Sequence, residues 1–257
     1  MSFLRSIAAA VAVASSLLAA PAQAEDLFKA REAGVLRVAM SGTFPPFSFV
    51  DDANNVVGFD VDIGTEIAKR LGLSADIVTT PFDGIIAGLI AGKFDTVVGS
   101  MTITEERAKA IDFVGPYYHG GRGLFVPTGS NIQDFQAISG HTVAVTLGET
   151  HDKWAKEQNG WSVRSYKSLP EMLLEANAGR VDAIVADKIP VLVAIKEQGL
   201  PLRQIEIPGV DPTANVGIAI RKENPELKAA MQDALDAMMA DGTYAAISEK
   251  WIGQDIR

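Results

Sequence analysis

The sequence predicts an α/β fold of two similar lobes, each built on a mostly parallel sheet flanked by helices. Strand-like apolar runs alternate with segments of helical periodicity along the chain, and this alternation is typical of α/β folds. Two segments also repeat: AGKFDTVVGS at 91–100 and AGRVDAIVAD at 178–187 share Ala-Gly, a basic residue, an apolar residue and Asp before an apolar strand. The repeat favours two lobes that are built alike, although chance similarity of two ordinary helix–strand units would also account for it.

The N-terminal segment 1–24 has the features of a cleaved secretory signal. Arg5 precedes an apolar stretch from Ser6 to Ala20, and Ala22-Gln23-Ala24 is a small-residue cleavage motif. The apolar stretch is shorter than the roughly 20 residues that a membrane-spanning helix needs. We therefore expect a periplasmic protein, with an uncleaved anchor or a core helix as the alternative.

Composition excludes several functional classes. The formal net charge is −9, which argues against nucleic-acid binding because that affinity depends on Lys and Arg neutralising phosphates. The chain has no cysteine, so an exported protein of this size depends on its core rather than on disulfides. His119, His141 and His151 have neither HExxH nor paired spacing, and we expect no metal site and no cofactor.

Strand and helix signals can be placed in order from residue 35 onwards. Helices are expected around 60–71 and 83–91, where apolar residues recur at helical spacing. A later helix is expected to begin at Asn224-Pro225 and to end at Gly242. The predicted strands are the apolar runs VLRVAM, ADIVTT, FDTVVGS, TVAVTLG, VRSY, VDAIVAD and VGIAI.

The segment GSMTITEER, residues 99–107, contains a conflict between local rules. Thr104 is a good helix N-cap, and a capping box would have Glu or Gln three positions later, where the sequence has Arg107. A cation is unfavourable at the positive end of a helix. Arg107 therefore either turns toward solvent or an acidic surface partner, or contributes to an anion-binding site.

The repeat equates Ser100 with Asp187, and both are expected just beyond the end of a buried strand, where open α/β sheets bind ligands. Arg107 with Ser100 and Thr102 would suit a carboxylate, and Asp187 would suit an ammonium group. Facing lobes would then form a site for a zwitterion. The alternatives are a surface helix residue for Arg107 and a helix N-cap for Asp187.

Further candidates lie in loops after other predicted strands. Phe44 and Phe82 could hold an aliphatic stem between their rings, although aromatic residues at such positions are more often part of the core. In the loop after TVAVTLG, backbone N–H groups near Thr150 could bind an anion. Glu149 could contact a polar end of a ligand, and a solvated loop carboxylate is an equally good interpretation.

Six motifs occur in order over essentially the whole chain after the leader: LRVAMSGTFPPFSF, VGFDVDI, FDGIIAGLIAGKFD, GSMTITEERAKAIDFVGPYY, GRVDAIVAD and DGTYAAISEKWIG. In these motifs the sequence resembles the polar amino-acid branch of the periplasmic solute-binding proteins of ABC importers, family 3 of the extracellular solute-binding proteins. The resemblance implies the two-lobed type II fold. It also implies hinge crossings near 118–123 and 213–217, which divide the chain into 25–119 with 215–257, and 120–214.

The resemblance also implies roles for single residues. The carboxylate-binding arginine falls on Arg107 and the ammonium-binding aspartate on Asp187. The hydroxyl and N–H donors fall on Ser100, Thr102 and Thr150, and the aromatic sandwich on Phe44 and Phe82. The implied function is a monomeric receptor, not an enzyme, which binds a free amino acid by lobe closure and delivers it to an ABC permease in the inner membrane.

Two positions depart from the pattern of the family. Members that bind basic amino acids often have Asp where this chain has Ser41, and the position of Glu149 is usually Thr or Ser. The first departure argues against lysine or histidine as the ligand, whereas Glu149 could restore a preference for cations. LGETHDKW and SEKWIG are most similar to cystine-type members, so a polar or cystine-like amino acid is expected. The alternative function is a periplasmic cyclohexadienyl dehydratase-like enzyme with Glu149 or Asp187 as general acid.

Overall fold

The computed structural model describes residues 26–209 and 214–257. The predicted leader at 1–24 lies outside the described residues, as does Thr213 at one edge of the second predicted hinge. Within the described ranges, none of the helices combines the length and the apolar character needed to cross a membrane.

The strands of the described residues are β1 (Val35–Met40), β2 (Thr43–Phe44), β3 (Ser48–Val50), β4 (Val56–Val57), β5 (Ser74–Thr79), β6 (Thr96–Thr102), β7 (Ile111–Gly120), β8 (Arg122–Pro127), β9 (Thr142–Thr146), β10 (Ser162–Tyr166), β11 (Ala183–Asp187), β12 (Leu202–Ile205) and β13 (Ala214–Arg221). The α-helices are α1 (Asp26–Ala33), α2 (Phe59–Arg70), α3 (Ile85–Ile90), α4 (Glu105–Ala110), α5 (Thr150–Lys156), α6 (Leu169–Asn177), α7 (Lys188–Gln198), α8 (Pro225–Ala240) and α9 (Thr243–Ile252). Short 3₁₀ helices lie at Phe82–Gly84 and Gln136–Ile138.

Two five-stranded sheets with the same topology organise the two lobes. Their strand orders are β5-β1-β6-β13-β7 and β10-β9-β11-β8-β12. In each sheet the first three strands are parallel, and the fourth is antiparallel to both of its neighbours. Four of the five strands therefore run in one direction, and the predicted mostly parallel sheets are confirmed. A small antiparallel sheet, β2-β3-β4, accompanies the first lobe.

The chain crosses between the two sheets twice. β7 of the first sheet leads almost directly into β8 of the second, and this crossing lies within the predicted range 118–123. The return runs from β12 to β13 through 206–213. The predicted second hinge range, 213–217, overlaps the start of β13, because residues 214–216 pair with β7 and Gly217 pairs with β6.

The sequence repeat coincides with equivalent strands, since β6 and β11 are the third strands of the two sheets. The Asp of each copy performs the same structural task. Asp95 Oδ2 accepts a hydrogen bond from the backbone N of Arg37 at 2.9 Å, and Asp182 Oδ2 accepts one from the backbone N of Thr142 at 2.8 Å. Each carboxylate thereby fixes the start of a central strand against its neighbour, which aligns the ends of β6 and β11 for the site.

Apolar residues cover both faces of the first sheet, which explains the almost continuous apolar run of β1. Val38 and Met40 belong to the same apolar cluster as the inner face of α2, whereas Ala39 belongs to the cluster that contains α3. Helix α2 begins after Gly58, whose φ is 135°. A Cβ at Gly58 would lie 2.3 Å from the carbonyl oxygen of Phe47, so only glycine permits this close start of the helix.

Candidate functional site

The carboxyl ends of β6 and β11 line one cleft, and loops of the two lobes touch across it. Arg107 Nη2 donates to the carbonyl oxygen of Gly148 at 3.3 Å. Glu106 of α4 and Lys153 of α5 form an ion pair with a 2.7 Å separation. The lobes are therefore in contact at the mouth of the cleft.

Arg107 of α4 points into this cleft. Thr104 caps the helix as predicted, its Oγ1 accepting a hydrogen bond from the backbone N of Arg107 at 3.1 Å. The guanidinium donates to the carbonyl oxygen of Thr102 at 2.9 Å and lies 5.5 Å from the ring centroid of Phe82. Burial lowers the pKa of Arg107, and the nearby Glu149 carboxyl opposes this change. Of the two predicted positions for Arg107, the structure has the one in the cleft.

Asp187 ends β11 and is held by a chain of side chains within the second lobe. It occupies the N-cap position of α7 but makes no capping hydrogen bond with its side chain. Its Oδ1 instead lies 3.3 Å from Nε2 of His151. Arg122 Nε donates to His151 Nδ1 at 3.2 Å, and the Arg122 guanidinium lies 4.4 Å from the ring centroid of Trp154. Because Nδ1 accepts this hydrogen bond, a neutral His151 imidazole carries its proton on Nε2, the ring nitrogen that lies nearest to Asp187 Oδ1.

The prediction that Ser100 lies just beyond the end of its strand is wrong. It lies inside β6 with a φ of 54°, so the strand continues past it and the left-handed conformation turns its side chain. The hydroxyl donates to Asp60 Oδ2 at 2.8 Å, and the backbone N donates to the hydroxyl of Tyr117 at 2.9 Å. Both donors of Ser100 are therefore engaged within the first lobe, although the residue still lines the cleft.

Glu149 is the N-cap residue of α5 and makes no capping hydrogen bond with its side chain. The residue is partly exposed, but its Oε2 is buried and has no hydrogen-bond partner among the described residues. Burial raises the pKa of Glu149 well above its usual value, the Asp187 carboxylate adds to this effect, and Arg107 opposes it. A buried acceptor without a donor is costly, which makes Glu149 the group of the cleft that most needs a partner.

Two adjoining cavities divide the cleft. The Arg107 cavity is lined by Phe82, Ser100, Thr102, Arg107, Glu149, Thr150, His151 and Asp187. The Ser41 cavity includes Ser41, Thr43, Phe44, Phe82, Ser100, Thr146, Glu149, Lys167 and Ser168. Phe82, Ser100 and Glu149 belong to both. All nine residues predicted from the sequence line one cavity or both.

The sequence did not single out Asp60, His151 or Lys167 for the site. His151 follows Thr150 in a loop that was already a candidate, and Lys167 directly follows the last residue of β10. The rule that ligands bind at strand ends would have found both. Asp60 had no comparable signal, since an acidic residue in the first turn of a helix is ordinary.

Glu149, His151 and Asp187 also form a cluster that could face a cation, with potential ligand atoms within 4.8 Å of one another. The spacing of histidines in the sequence could not reveal it, because the three side chains come from a loop, a helix and a strand end. Arg107 and Arg122 lie close enough to Asp187 to interact with its charge, and they bring positive charge to the cluster. This charge favours a monovalent ammonium group over a divalent metal ion.

The chain is similar to known proteins over nearly its whole length. A sequence profile of the bacterial extracellular solute-binding proteins, family 3, matches residues 36–254. The L-cystine-binding protein TcyJ of Escherichia coli K12 is 36% identical over 234 residues, which cover 90% of this chain and 87% of TcyJ. The L-arginine-binding protein of Pseudomonas aeruginosa is 31% identical over 254 residues, 95% of each chain.

The fold is also similar to that of a solved structure. The ancestral amino acid-binding protein AncCDT-1, described as a precursor of cyclohexadienyl dehydratase, superposes with a TM-score of 0.82 at 35% identity, covering 88% of this chain and 99% of that one. The predicted two-lobed type II fold is thereby confirmed. The chain belongs to the bacterial extracellular solute-binding proteins of family 3.

Proposed function

We propose that this protein is a periplasmic receptor that binds one free amino acid, polar or cystine-like, and delivers it to an ABC permease in the inner membrane. Segment 1–24 acts as its cleaved signal, and the mature protein works as a monomer without enzymatic activity. Support for the binding of an amino acid comes from the family and from relatives that bind cystine and arginine.

The observation that carries the proposal is the pairing of opposite charges across one cavity. Arg107 from the first lobe and Asp187 from the second line the Arg107 cavity together with the hydroxyl residues Thr102 and Thr150. A guanidinium is suited to a carboxylate, and a fixed aspartate is suited to an ammonium group. An α-amino acid carries both groups on one carbon and would bridge the two lobes.

A ligand that bridges the two lobes stabilises the closed form of the protein. We assign the moving bodies to 25–119 with 215–257, and 120–214; the boundaries fall where β7 leads into β8 and at the start of β13. A ligand that contacts both lobes binds the closed form more tightly than the open form and shifts the population toward it. A permease that contacts both lobes then distinguishes loaded from empty receptor.

The test is a ligand screen of refolded, ligand-free mature protein, first by thermal shift and then by calorimetry. A ligand that binds only the native state raises the unfolding midpoint. Arg107→Ala should lower affinity for the best amino acid by at least about 30-fold, because losing one partner of a buried charge pair costs about 2–5 kcal/mol. Lys109→Ala, an equal charge change on the exposed side of α4, is the control. Near-normal affinity of Arg107→Ala would refute the carboxylate assignment.

A second candidate function has one observation in its favour. Glu149 has a raised pKa and an unpartnered oxygen next to Arg107, as a general acid beside a carboxylate-binding arginine would. The solved structure of AncCDT-1 connects an amino acid-binding protein with a dehydratase. Incubation with prephenate separates the functions: release of product would support the enzyme, and binding of an amino acid without turnover of prephenate would support the receptor.

A further inference from the structure

The Ser41 cavity has charged groups of its own, beyond the pair that is assigned to the α-amino acid head. Glu149 lies where the two cavities adjoin, and Lys167 lines only the Ser41 cavity, together with Ser168. A receptor for a neutral, one-headed amino acid needs neither charge there. These charges suit a ligand that carries further charged groups beyond one zwitterionic head.

One carboxylate oxygen of Glu149 lacks a donor. Its Oε2 is buried without a hydrogen-bond partner in the described part of the chain, and Arg107 is not within ion-pair distance of it. Asp187 Oδ1, by contrast, already has the His151 ring nitrogen Nε2 at 3.3 Å. A second cationic group, arriving with the ligand, would supply the donor that Glu149 lacks and restore its ionised form.

Lys167 is the complementary cation. Its backbone is fixed, because the backbone N of Lys167 donates to Glu171 Oε2 at 3.0 Å and Glu171 N donates to Ser168 Oγ at 3.3 Å. Its ammonium group forms no ion pair within the described ranges. The side chain is exposed, as expected for a residue at the end of the cavity that opens to solvent. A carboxylate there would meet the Lys167 ammonium and the Ser168 hydroxyl.

We propose that the Ser41 cavity binds a second α-amino acid head, so that the preferred ligand is a bis(α-amino acid) whose linking chain lies beside Phe44 and Phe82. The second ammonium binds Glu149, and the second carboxylate binds Lys167 and Ser168. This inference rests on the proposed function, since the first head occupies the Arg107 cavity. The rival arrangement places Glu149 and Asp187 on the same ammonium of a one-headed ligand.

A series of related ligands tests the proposal by calorimetry on the ligand-free mature protein. L,L-2,6-Diaminopimelate has two complete heads. Compared with diaminopimelate, L-lysine lacks one carboxylate and L-2-aminopimelate lacks one ammonium group. L-Cystine and S-methyl-L-cysteine form a second pair with a disulfide or thioether chain. Each two-headed ligand that fits the cavity should bind at least about tenfold more tightly than its one-headed counterparts, given what a hydrogen bond to a charged group contributes.

Two variants test which group of the ligand binds Glu149 and which binds Lys167. Glu149→Gln should remove the preference for diaminopimelate over 2-aminopimelate, and Lys167→Gln the preference for diaminopimelate over lysine. For a cystine-selective cavity, both variants should weaken cystine while leaving S-methylcysteine unchanged. Lys196→Gln, a change of an exposed lysine on α7, should alter none of these ratios.

The outcomes separate this inference from the proposed function. If one-headed amino acids bind as tightly as the two-headed ones, or if Glu149→Gln weakens both kinds equally, Glu149 serves the first ammonium and the inference is overturned while the receptor function stands. If no amino acid binds, the proposed function fails and the inference fails with it. The ligand series is measured on the unaltered protein, so the test does not depend on whether a variant folds.

Discussion

Asp60 is a fully buried carboxyl group beneath the cleft, on the first turn of α2. Its two oxygens accept hydrogen bonds from the hydroxyls of Tyr117 at 2.6 Å and Ser100 at 2.8 Å. Burial raises the pKa of Asp60 to about 7, because these two hydrogen bonds offset only part of the cost of desolvation. The folded protein therefore retains a proton on Asp60 that the unfolded chain releases near pH 4. The stabilising contribution of protonated Asp60 is therefore fully present below pH 4 and decreases as the pH rises to 7. Above pH 7 the free energy of unfolding no longer changes because of Asp60.

Asp60→Asn should remove this pH dependence, since an amide of nearly the same shape stays neutral. The free energy of unfolding of the unaltered protein should fall by about 4 kcal/mol more than that of the variant between pH 4 and pH 8. Urea unfolding at pH 4, 6 and 8 measures both, and the difference between the two proteins isolates the contribution of Asp60. Parallel pH profiles would show that Asp60 is ionised in the folded protein.

Single residues of the site differ in how visible they are in the sequence. Arg107 could be found because it breaks the rule for the first turn of a helix, and such conflicts tend to mark function. Asp60 obeys that rule, because acids are favoured at helix N-termini. Its burial depends on Tyr117, 57 positions away. No local pattern encodes that contact, so the sequence could not identify Asp60.

At the level of strands and helices, the two copies of the repeat differ in one energetic respect. The Asp95 side chain is 7% exposed and lies 2.6 Å from Nη2 of Arg37, with Arg221 at 3.7 Å. The Asp182 side chain is 46% exposed, with His141 at 3.4 Å. The same carboxylate–backbone hydrogen bond is thus made by a buried, doubly paired carboxylate in one lobe and by a half-exposed carboxylate in the other.

Asp95→Ala should therefore destabilise the protein by about 2–4 kcal/mol, since it leaves the largely buried Arg221, the partly exposed Arg37 and a backbone N–H without this acceptor. Asp182→Ala removes the matching hydrogen bond at an exposed place and should cost about 1 kcal/mol or less. Urea unfolding at neutral pH compares the two variants. Equal losses would mean that the backbone hydrogen bond alone, and not the ion-pair network, determines the importance of the repeated Asp.

Most strands and helices were predictable because their apolar residues follow one period. α2 buries Phe59, Ile63 and Ile67 as expected, and α8 begins after Asn224 and ends before Gly242 as expected. The error at Ser100 has a physical cause: a single left-handed residue lets β6 continue, and periodicity does not report a change of φ at one position. The last strand was predicted too short: the apolar run VGIAI begins at residue 216, whereas the pairing with β7 already begins at Ala214.

On the scale of the whole molecule, the repeat predicted two similar sheets but could not predict where the lobes touch. The loop at Gly148 lies against Asp83 of the first lobe, and a Cβ at Gly148 would be 2.8 Å from the Asp83 Cα. This contact involves backbone atoms on both sides, so an added Cβ could be accommodated only by moving the backbone of one lobe. Gly148 therefore permits the lobes to close over the cavity.

Gly148→Ala should hold the lobes apart and weaken ligand binding by about tenfold or more, because overpacking costs about 1–3 kcal/mol and would act only on the closed form. Gly148 has a φ of 82°, so alanine also adds backbone strain. Gly140→Ala is the matched control, since Gly140 has a φ of 86° and no atom within 4 Å of the added Cβ. Both variants should lose about 1 kcal/mol of stability from strain. Only Gly148→Ala should keep a large radius of gyration in X-ray scattering with ligand present. Equal affinities of the two variants would mean that binding does not require the lobes to reach this contact, and closure would then have to be sought at another surface.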